Sequence, residues 1–136
     1  MYLAVNDRES PPVTVAEVAQ QFNIARNHLV KVSASLTKYG YIQSIRGRTG
    51  GIVLARAPEQ INIGDLIRLL EDSEQLIDCD ALNCLLSPAC GLKAALNHAL
   101  NNFYDTLNTY TLADVLRGKS TGSIQKIQQD YIRLVG

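Results

Sequence analysis

The stretch TVAEVAQQFNIARNHLVKVSASLTKYGYIQSIRGRTGGIVLA, residues 14–55, predicts the fold of the first half of the chain. Thr14 and Glu17 match a capping box, in which the threonine hydroxyl accepts from the Glu17 amide and the carboxylate reaches back. The helix that follows has one apolar face, made of Val15, Val18, Ala19 and Phe22. Asn23 and Ile24 form a tight connection to a second helix.

The second helix is predicted to run from about Arg26 to Tyr39, because Gly40 stands where a left-handed C-terminal cap is common. Its apolar side chains recur at three- and four-residue steps and are Leu29, Val32 and Leu36. Its opposite, polar face carries Asn27, His28, Lys31, Ser35 and Lys38. Two short helices joined in this way indicate a helix-turn-helix, and a generic helical hairpin with a solvated face is the alternative.

A β-hairpin is predicted next, and its presence makes a generic helical hairpin a weaker alternative to a helix-turn-helix. YGYIQSI (39–45) and IVLA (52–55) are the predicted strands, joined by the glycine-rich turn RGRTGG (46–51). Gly47, Gly50 and Gly51 permit positive φ and close backbone approach. An arginine at such a tip can enter a narrow DNA minor groove. A helix-turn-helix followed by a basic wing predicts DNA binding, with contacts from Arg26, Asn27, His28, Lys31, Arg46 and Arg48.

Charge is divided unevenly along this 136-residue, formally neutral chain. Residues 1–58 carry seven Lys/Arg against three Asp/Glu, whereas residues 59–136 carry six against ten. A basic first half suits a polyanionic partner such as DNA. No apolar run is long enough for a membrane span, and the N-terminus lacks the features of a signal peptide, so a cytoplasmic protein without a membrane partner is expected.

The second half contains a short helix, a cysteine-rich loop and a long helix. NIGDLIRLLEDSE (62–74) is the predicted short helix, and the long one runs from about Pro88 to Tyr110, with Ser87 as its N-cap. At roughly 34 Å the long helix would leave part of its apolar stripe exposed on a small domain. We therefore expect a symmetric homodimer that binds two half-sites of a near-palindromic operator.

All three cysteines, Cys79, Cys84 and Cys90, lie in this loop with the spacing C-x4-C-x5-C. Inert core thiols, a thiol redox switch, a zinc site and an iron–sulfur cluster are the alternatives. The spacing is wider than in zinc knuckles and there is no fourth cysteine, which favours a cluster with one iron that takes another ligand. Cys90 is expected in the first helical turn, where the helix dipole favours a thiolate.

Over residues 1–117 the sequence resembles the NsrR-type nitric-oxide-sensing repressors, within the winged-helix iron–sulfur regulators that include IscR and RirA. The most specific stretches are RNHLVKV (26–32), RGRTGGI (46–52), INIGDLIR (61–68), the cysteine run with SPACGLKAAL (87–96), and LNTYTLADVL (107–116).

The resemblance implies a homodimer in which Cys79, Cys84 and Cys90 hold a cluster, with 4Fe–4S favoured and 2Fe–2S as the other form. It implies that the cluster-bound protein represses nitric oxide detoxification genes and leaves its operator when nitric oxide attacks the irons. An iron-responsive or cluster-status regulator of the IscR or RirA type is the alternative function.

Some residues depart from the family pattern. A YTDYALR-like segment is missing at the N-terminus, so the chain is expected to begin inside the first helix, without the aspartate thought to complete the cluster ligands from the partner subunit. Asp7 does not align with that aspartate, which leaves Asp78 and Asp80 as candidate substitutes. Lys93 stands where IscR-like proteins have a ligand histidine, and His98 is expected to be solvated or packed.

The predicted fold class is mainly α with a small β wing: a winged helix-turn-helix domain plus a long dimerisation helix. The expected domains are residues 1–58 for DNA binding, 59–118 for the cluster loop and dimerisation helix, and 119–136 as a tail that is either a docked helix or frayed. The sequence carries no enzymatic constellation. A ferredoxin-type electron carrier is disfavoured, because the C-x2-C-x2-C spacing is missing and the wing would be unexplained.

Overall fold

The described residues are mainly α-helical with one small antiparallel sheet, in agreement with the predicted fold class. The computed structural model describes residues 1–6, 11–71 and 75–135. In chain order the elements are α1 (Tyr2–Val5), α2 (Val15–Gln21), α3 (Arg26–Lys38), β1 (Ile42–Ile45), β2 (Gly51–Leu54), α4 (Ile63–Leu70), α5 (Gly91–Leu107), α6 (Leu112–Leu116) and α7 (Lys119–Val135), with short 3₁₀ turns at Pro58–Gln60 and Ser87–Ala89. None of the described helices has the length and apolarity needed to cross a membrane.

The chain divides into two compact units, residues 1–61 with 111–136 and residues 62–110. In the first unit α2 and α3 form the predicted helix pair. Asn23 joins them with a φ of 50°, a left-handed conformation that asparagine tolerates. The α3 helix closes as predicted, because Gly40 has a φ of 71° and the Tyr41 amide donates to the Leu36 carbonyl at 2.9 Å.

The capping box at the start of α2 is only half formed. The Thr14 hydroxyl accepts from the Glu17 amide at 3.0 Å, as predicted. The Glu17 carboxylate instead accepts from the Tyr2 hydroxyl at 2.7 Å, because Tyr2 is buried and its hydroxyl needs an acceptor. Burial, followed by the bond to Glu17, raises the pKa of Tyr2. The Phe22 ring meets the Tyr2 ring edge-on but stays 42% exposed, so it lies at the margin of the core.

The wing is a two-stranded hairpin whose register pairs Ile42 with Leu54 and Ile45 with Gly51. Its first strand is shorter than predicted. Gly47 has a φ of 123°, and a Cβ on Gly51 would stand 2.6 Å from the carbonyl oxygen of Val13. This close approach lets the Ile52 amide donate to the same Val13 oxygen at 2.7 Å, which attaches the wing to the segment before α2.

The C-terminal residues of the first unit form two helices. The α6 helix has a complete capping box between Thr111 and Asp114. The α7 helix packs against α1, α2 and α6, with Ile124 buried and the Gln128 side-chain amide donating to the Tyr2 carbonyl at 3.0 Å. The tail is therefore a docked helix rather than a frayed end. The functional boundaries at residues 58 and 118 stay a prediction.

The second unit packs α4 against α5. The Asn62 side chain accepts from the Asp65 amide at 3.0 Å as the N-cap of α4, and its own amide donates to the Asn108 carbonyl at 2.7 Å. The Arg68 guanidinium lies 4.4 Å from the centre of the buried Tyr104 ring. These contacts attach α4 to α5 at the N-cap of α4 and again in the last turn of α4. The α4 helix ends at Leu70, before the predicted end, and residues 72–74 lie outside the described part of the chain.

The predicted start of the long helix was wrong. The α5 helix begins at Gly91 with Cys90 as its N-cap, and it ends at Leu107, a length of about 26 Å. Pro88 lies in the 3₁₀ turn before it, and the backbone of Cys90 is extended, so Cys90 precedes the first helical turn instead of lying in it. The physical reason is that Ser87 does not cap the helix, because its hydroxyl oxygen accepts from the Lys93 ammonium group while its hydrogen is donated to Asp80.

Candidate DNA-binding surface and cysteine loop

The start of α3 presents a row of exposed polar and basic side chains. Arg26, Asn27 and His28 occupy its first turn, and Lys31 follows one turn later. Ala25, the N-cap residue before α3, has no side-chain oxygen to accept from the first amides, although its carbonyl accepts from the His28 and Leu29 amides. Free amides and cations at a helix N-terminus suit a phosphate group.

Arg46 and Arg48 lie in the turn between β1 and β2 and are exposed, as are the four α3 residues. Within the described part of the chain, neither arginine forms an ion pair, and the same is true of Arg26 and Lys31. The structure therefore presents all six predicted DNA contacts to solvent, with four uncompensated cations among them.

Arg56 has a structural role that the sequence pattern did not reveal. Its guanidinium donates to the Tyr39 carbonyl at 2.9 Å and lies 4.5 Å from the centre of the Tyr41 ring. Arg56 follows β2, whereas Tyr39 caps α3, so this side chain links the wing to the end of the second helix. The one signal in the sequence was a basic residue placed just after the hairpin.

The cysteine loop is a series of tight turns. The Leu82 amide donates to the Asp78 carbonyl at 3.2 Å, and the Cys84 amide donates to the Cys79 carbonyl at 3.0 Å. Cys79 and Cys90 are half-buried and Cys84 is exposed, and all three are free thiols. Cys79 and Cys90 line one small cavity, and the other lining residues are Ile77, Leu92, Lys93, Leu96 and Asn97.

The donor set fits an iron–sulfur cluster in type, since it offers three free thiols within twelve residues. Two of them already share a cavity. Across residues 1–6, 11–71 and 75–135, however, no three His, Cys, Asp or Glu side chains converge closely enough to hold a single metal ion. A cluster held by all three thiols would require Cys84 to turn inward from the exposed part of the loop.

The two aspartates next to Cys79 are both engaged in local hydrogen bonds. Asp78 accepts from the Ala81 amide at 2.9 Å. Asp80 accepts from the Ser87 hydroxyl at 2.6 Å and lies 3.4 Å from the Lys93 ammonium group, which also contacts the Ser87 oxygen at 3.0 Å. The Ser87 hydrogen bond, followed by Lys93, lowers the pKa of Asp80. Asp7 lies outside the described residues.

His98 is exposed on α5, and its Nε2 atom lies 3.2 Å from the side-chain amide of Asn102. It is not among the residues around the Cys79 and Cys90 cavity. Of the two expected placements, solvated or packed, the exposed ring of His98 matches the solvated one.

The family model for Rrf2, described as an iron-dependent transcriptional regulator, matches residues 1–118. The chain belongs to the Rrf2 family. Among its relatives, the HTH-type transcriptional regulator NsrR of Bacillus licheniformis is 44% identical over 124 residues, which cover 89% of this chain and 80% of the relative. NsrR of Bacillus subtilis is 43% identical over 108 residues, covering 77% and 74%. The resemblance to NsrR-type regulators is thereby confirmed.

Solved structures of Rrf2 regulators have the same fold. IscR of T. potens matches with a TM-score of 0.64 and 28% identity, over 85% of this chain and 77% of that one. CymR, the global cysteine regulator of B. subtilis, matches with a TM-score of 0.64 and 29% identity, over 83% of each. This Rrf2 chain is a winged-helix transcriptional regulator that binds DNA, not an enzyme.

Proposed function

We propose that this Rrf2 protein is a repressor whose iron–sulfur cluster senses nitric oxide and controls operator binding. The observation that carries the proposal is the pairing of Cys79 and Cys90 around one cavity, with a third free thiol, Cys84, in the same loop. The 43–44% identical relatives named NsrR support the assignment of the signal.

In the DNA complex, α3 enters the major groove and the wing contacts the adjacent minor groove. Arg26, Asn27, His28 and Lys31 are the proposed contacts from α3, and Arg46 and Arg48 those from the wing. The absence of ion-pair partners for the four cations within the described residues favours this role, because no protein contact must be broken before a phosphate is bound.

In the cluster-bound protein, Cys79, Cys84 and Cys90 are the proposed ligands, with a 4Fe–4S cluster favoured over 2Fe–2S. When bound, the group supplies an iron that is not capped by thiolate and is open to a small ligand such as nitric oxide. Cys79 and Cys90 bind from their shared cavity, and Cys84 comes from the exposed turn. Since Cys90 is the N-cap of α5, a change at this thiolate acts directly on the start of that helix.

The protein acts as a homodimer in the cytoplasm. On α5 and just beyond it, Leu92, Phe103 and Tyr110 are 64%, 50% and 47% exposed, so three large apolar side chains are left in contact with water. A second copy would cover this surface and would place two α3 helices on half-sites about one helical turn apart.

The test is anaerobic reconstitution followed by an operator gel-shift titration. The proposal expects sub-micromolar binding by the cluster-bound protein and loss of the shifted band after stoichiometric nitric oxide. If metal-free and nitric-oxide-treated proteins bind as tightly as the cluster-bound protein, the sensing function is wrong.

A regulator that responds to iron or to cluster supply is the second candidate. It is favoured by the iron-dependent description of the family and by the structural similarity to IscR. Absorption and Mössbauer spectra, combined with the identity of the regulated genes, separate the two candidates.

Arg46→Ala is expected to weaken operator binding and to make its salt dependence less steep. Each neutralised phosphate contributes about −0.9 to the slope of log K against log salt concentration, so loss of one contact should reduce the slope by about 1. Fluorescence anisotropy at several salt concentrations measures both effects. Arg133→Ala is the matched control, since that exposed arginine lies at the end of α7, and its slope should stay unchanged. An unchanged slope for Arg46→Ala would rule out its phosphate contact.

A further inference from the structure

We propose that Asp80, Ser87 and Lys93 form a polar clamp that holds the cysteine loop closed on the start of α5 before any cofactor binds. This inference rests on the proposed function, because it gives the clamp the task of keeping Cys79 and Cys90 around their common cavity. The three residues are positioning residues, and none of them is proposed as a cluster ligand.

The clamp residues lie next to the thiols along the chain. Asp80 follows Cys79 directly, whereas Ser87 precedes Cys90 by three residues and Lys93 follows it by three. The contacts among them, 2.6 Å from Ser87 to Asp80, 3.0 Å from Lys93 to Ser87 and 3.4 Å from Lys93 to Asp80, connect both ends of the loop. The Lys93 side chain is only 23% exposed, and it lines the cavity that Cys79 and Cys90 share.

Apolar packing does not hold this loop. Leu82, Leu85 and Leu86 are 72%, 97% and 69% exposed, so the loop buries little of its own hydrophobic surface. The backbone bonds in residues 78–90 connect positions no more than five residues apart, such as Cys84 to Cys79. Among the described contacts, the bonds of Asp80 connect positions further apart in the chain: Ser87 is seven residues away and Lys93 is thirteen residues away. They therefore offset the conformational entropy that would otherwise open it.

Amide hydrogen exchange on the metal-free, full-length, reduced protein tests the clamp directly. Lys93→Met and Asp80→Asn should each speed exchange of the loop amides of Leu82, Cys84 and Ser87 by about threefold to tenfold, the effect of losing one or two modest hydrogen bonds. Lys93→Arg should keep near-native protection, because it retains the cation. Lys126→Met and Asp105→Asn, at exposed positions on α7 and α5, are the matched controls and should leave loop exchange unchanged.

A double variant decides whether the residues act together. If they do, the loop of the Lys93→Met, Asp80→Asn double variant should exchange more slowly than the product of the two single effects predicts, since the Lys93–Asp80 contact is lost only once. Protection of α5 peptides should persist in all variants, which shows that the helix still folds. Unchanged loop exchange in both single variants, or effects that multiply in the double variant, would overturn the clamp.

The exchange experiment does not depend on the cofactor. A wild type that never takes up iron would overturn the proposed function, yet faster loop exchange in Lys93→Met and Asp80→Asn would still support the clamp. Where the wild type does bind a cluster, the clamp predicts slower reconstitution in Lys93→Met and normal reconstitution in Lys93→Arg. Equal reconstitution rates in wild type and Lys93→Met would count against a role in holding the thiols.

Discussion

Gly64→Ala is expected to destabilise the second unit by about 3 kcal/mol, at the upper end of the cost of overpacking. A Cβ at this position would overlap the side chain of Asn108 and would stand 2.8 Å from the Asn108 backbone nitrogen. The side chain can rotate away, but the backbone nitrogen belongs to the end of α5, which the Asn62 amide holds through the Asn108 carbonyl. Relief therefore requires α4 to separate from α5. Thermal or urea unfolding measures the loss.

Gly91→Ala is the matched control, because it is also a glycine near a helix N-terminus and no atom lies within 4 Å of the position that its Cβ would take. This substitution should leave the free energy of unfolding unchanged or raise it by up to about 1 kcal/mol, since alanine has a higher helix propensity than glycine. Adding Asn108→Ala to Gly64→Ala should recover only part of the stability, because two of the three close atoms belong to the side chain and one to the backbone. Equal melting temperatures for Gly64→Ala and Gly91→Ala would contradict the close packing.

Cys90→Ser is expected to abolish cluster retention and to lower operator affinity about tenfold to a hundredfold, the usual range of coupling between a ligand and a distant binding site. A serine hydroxyl is not ionised at neutral pH and is a poor iron ligand, whereas its size is close to that of a thiol. Cys90 is half-buried and already serves as an N-cap, a position that serine favours, so the fold should be retained. Cys79→Ser and Cys84→Ser should behave alike. Iron content, visible absorption and operator titration under anaerobic conditions measure the effect.

His98→Ala is the control for the cysteine series, because His98 lies on α5 with Asn102 as its neighbour and should leave iron content unchanged. The three serine variants also distinguish a cluster from inert thiols and from a thiol redox switch. Inert thiols would leave operator binding intact in all three variants, and a redox switch would respond to oxidants in protein that holds no iron. Either outcome would remove the cluster from the proposed function.

The helix-turn-helix and the wing could be predicted from sequence because their signals are local. The left-handed cap at Gly40 and the hairpin around Gly47 are each determined by residues within about five positions. The same holds for the cap of Thr14 on the Glu17 amide. A hydrogen bond or a β-turn between residues only a few positions apart depends little on the rest of the chain. These elements therefore lie at the predicted places.

Where side chains have several possible partners, the sequence was a poorer guide. The Glu17 carboxylate was expected to complete its own capping box, but the buried Tyr2 hydroxyl, fifteen positions away in the chain, donates to it instead. Ser87 was expected to cap the long helix, but its hydroxyl oxygen accepts from the Lys93 ammonium group and its hydrogen is donated to Asp80, and the helix starts at Gly91. In both cases the polar side chain bonds to a residue more distant in the chain instead of the helix-terminal amide that the local pattern predicted.

The amino-acid sequence by itself determined the class of protein, the helix-turn-helix with its wing, and the three thiols of the loop. Only the tertiary structure decided which thiols share a cavity, that Lys93 is bound to Asp80 and Ser87, and that α7 packs on the first helices. The physical reason is the range of the interactions. Caps, turns and helix periodicity are satisfied by near neighbours in the chain, whereas a buried hydroxyl or a half-buried ammonium group takes whichever partner the packing brings within reach.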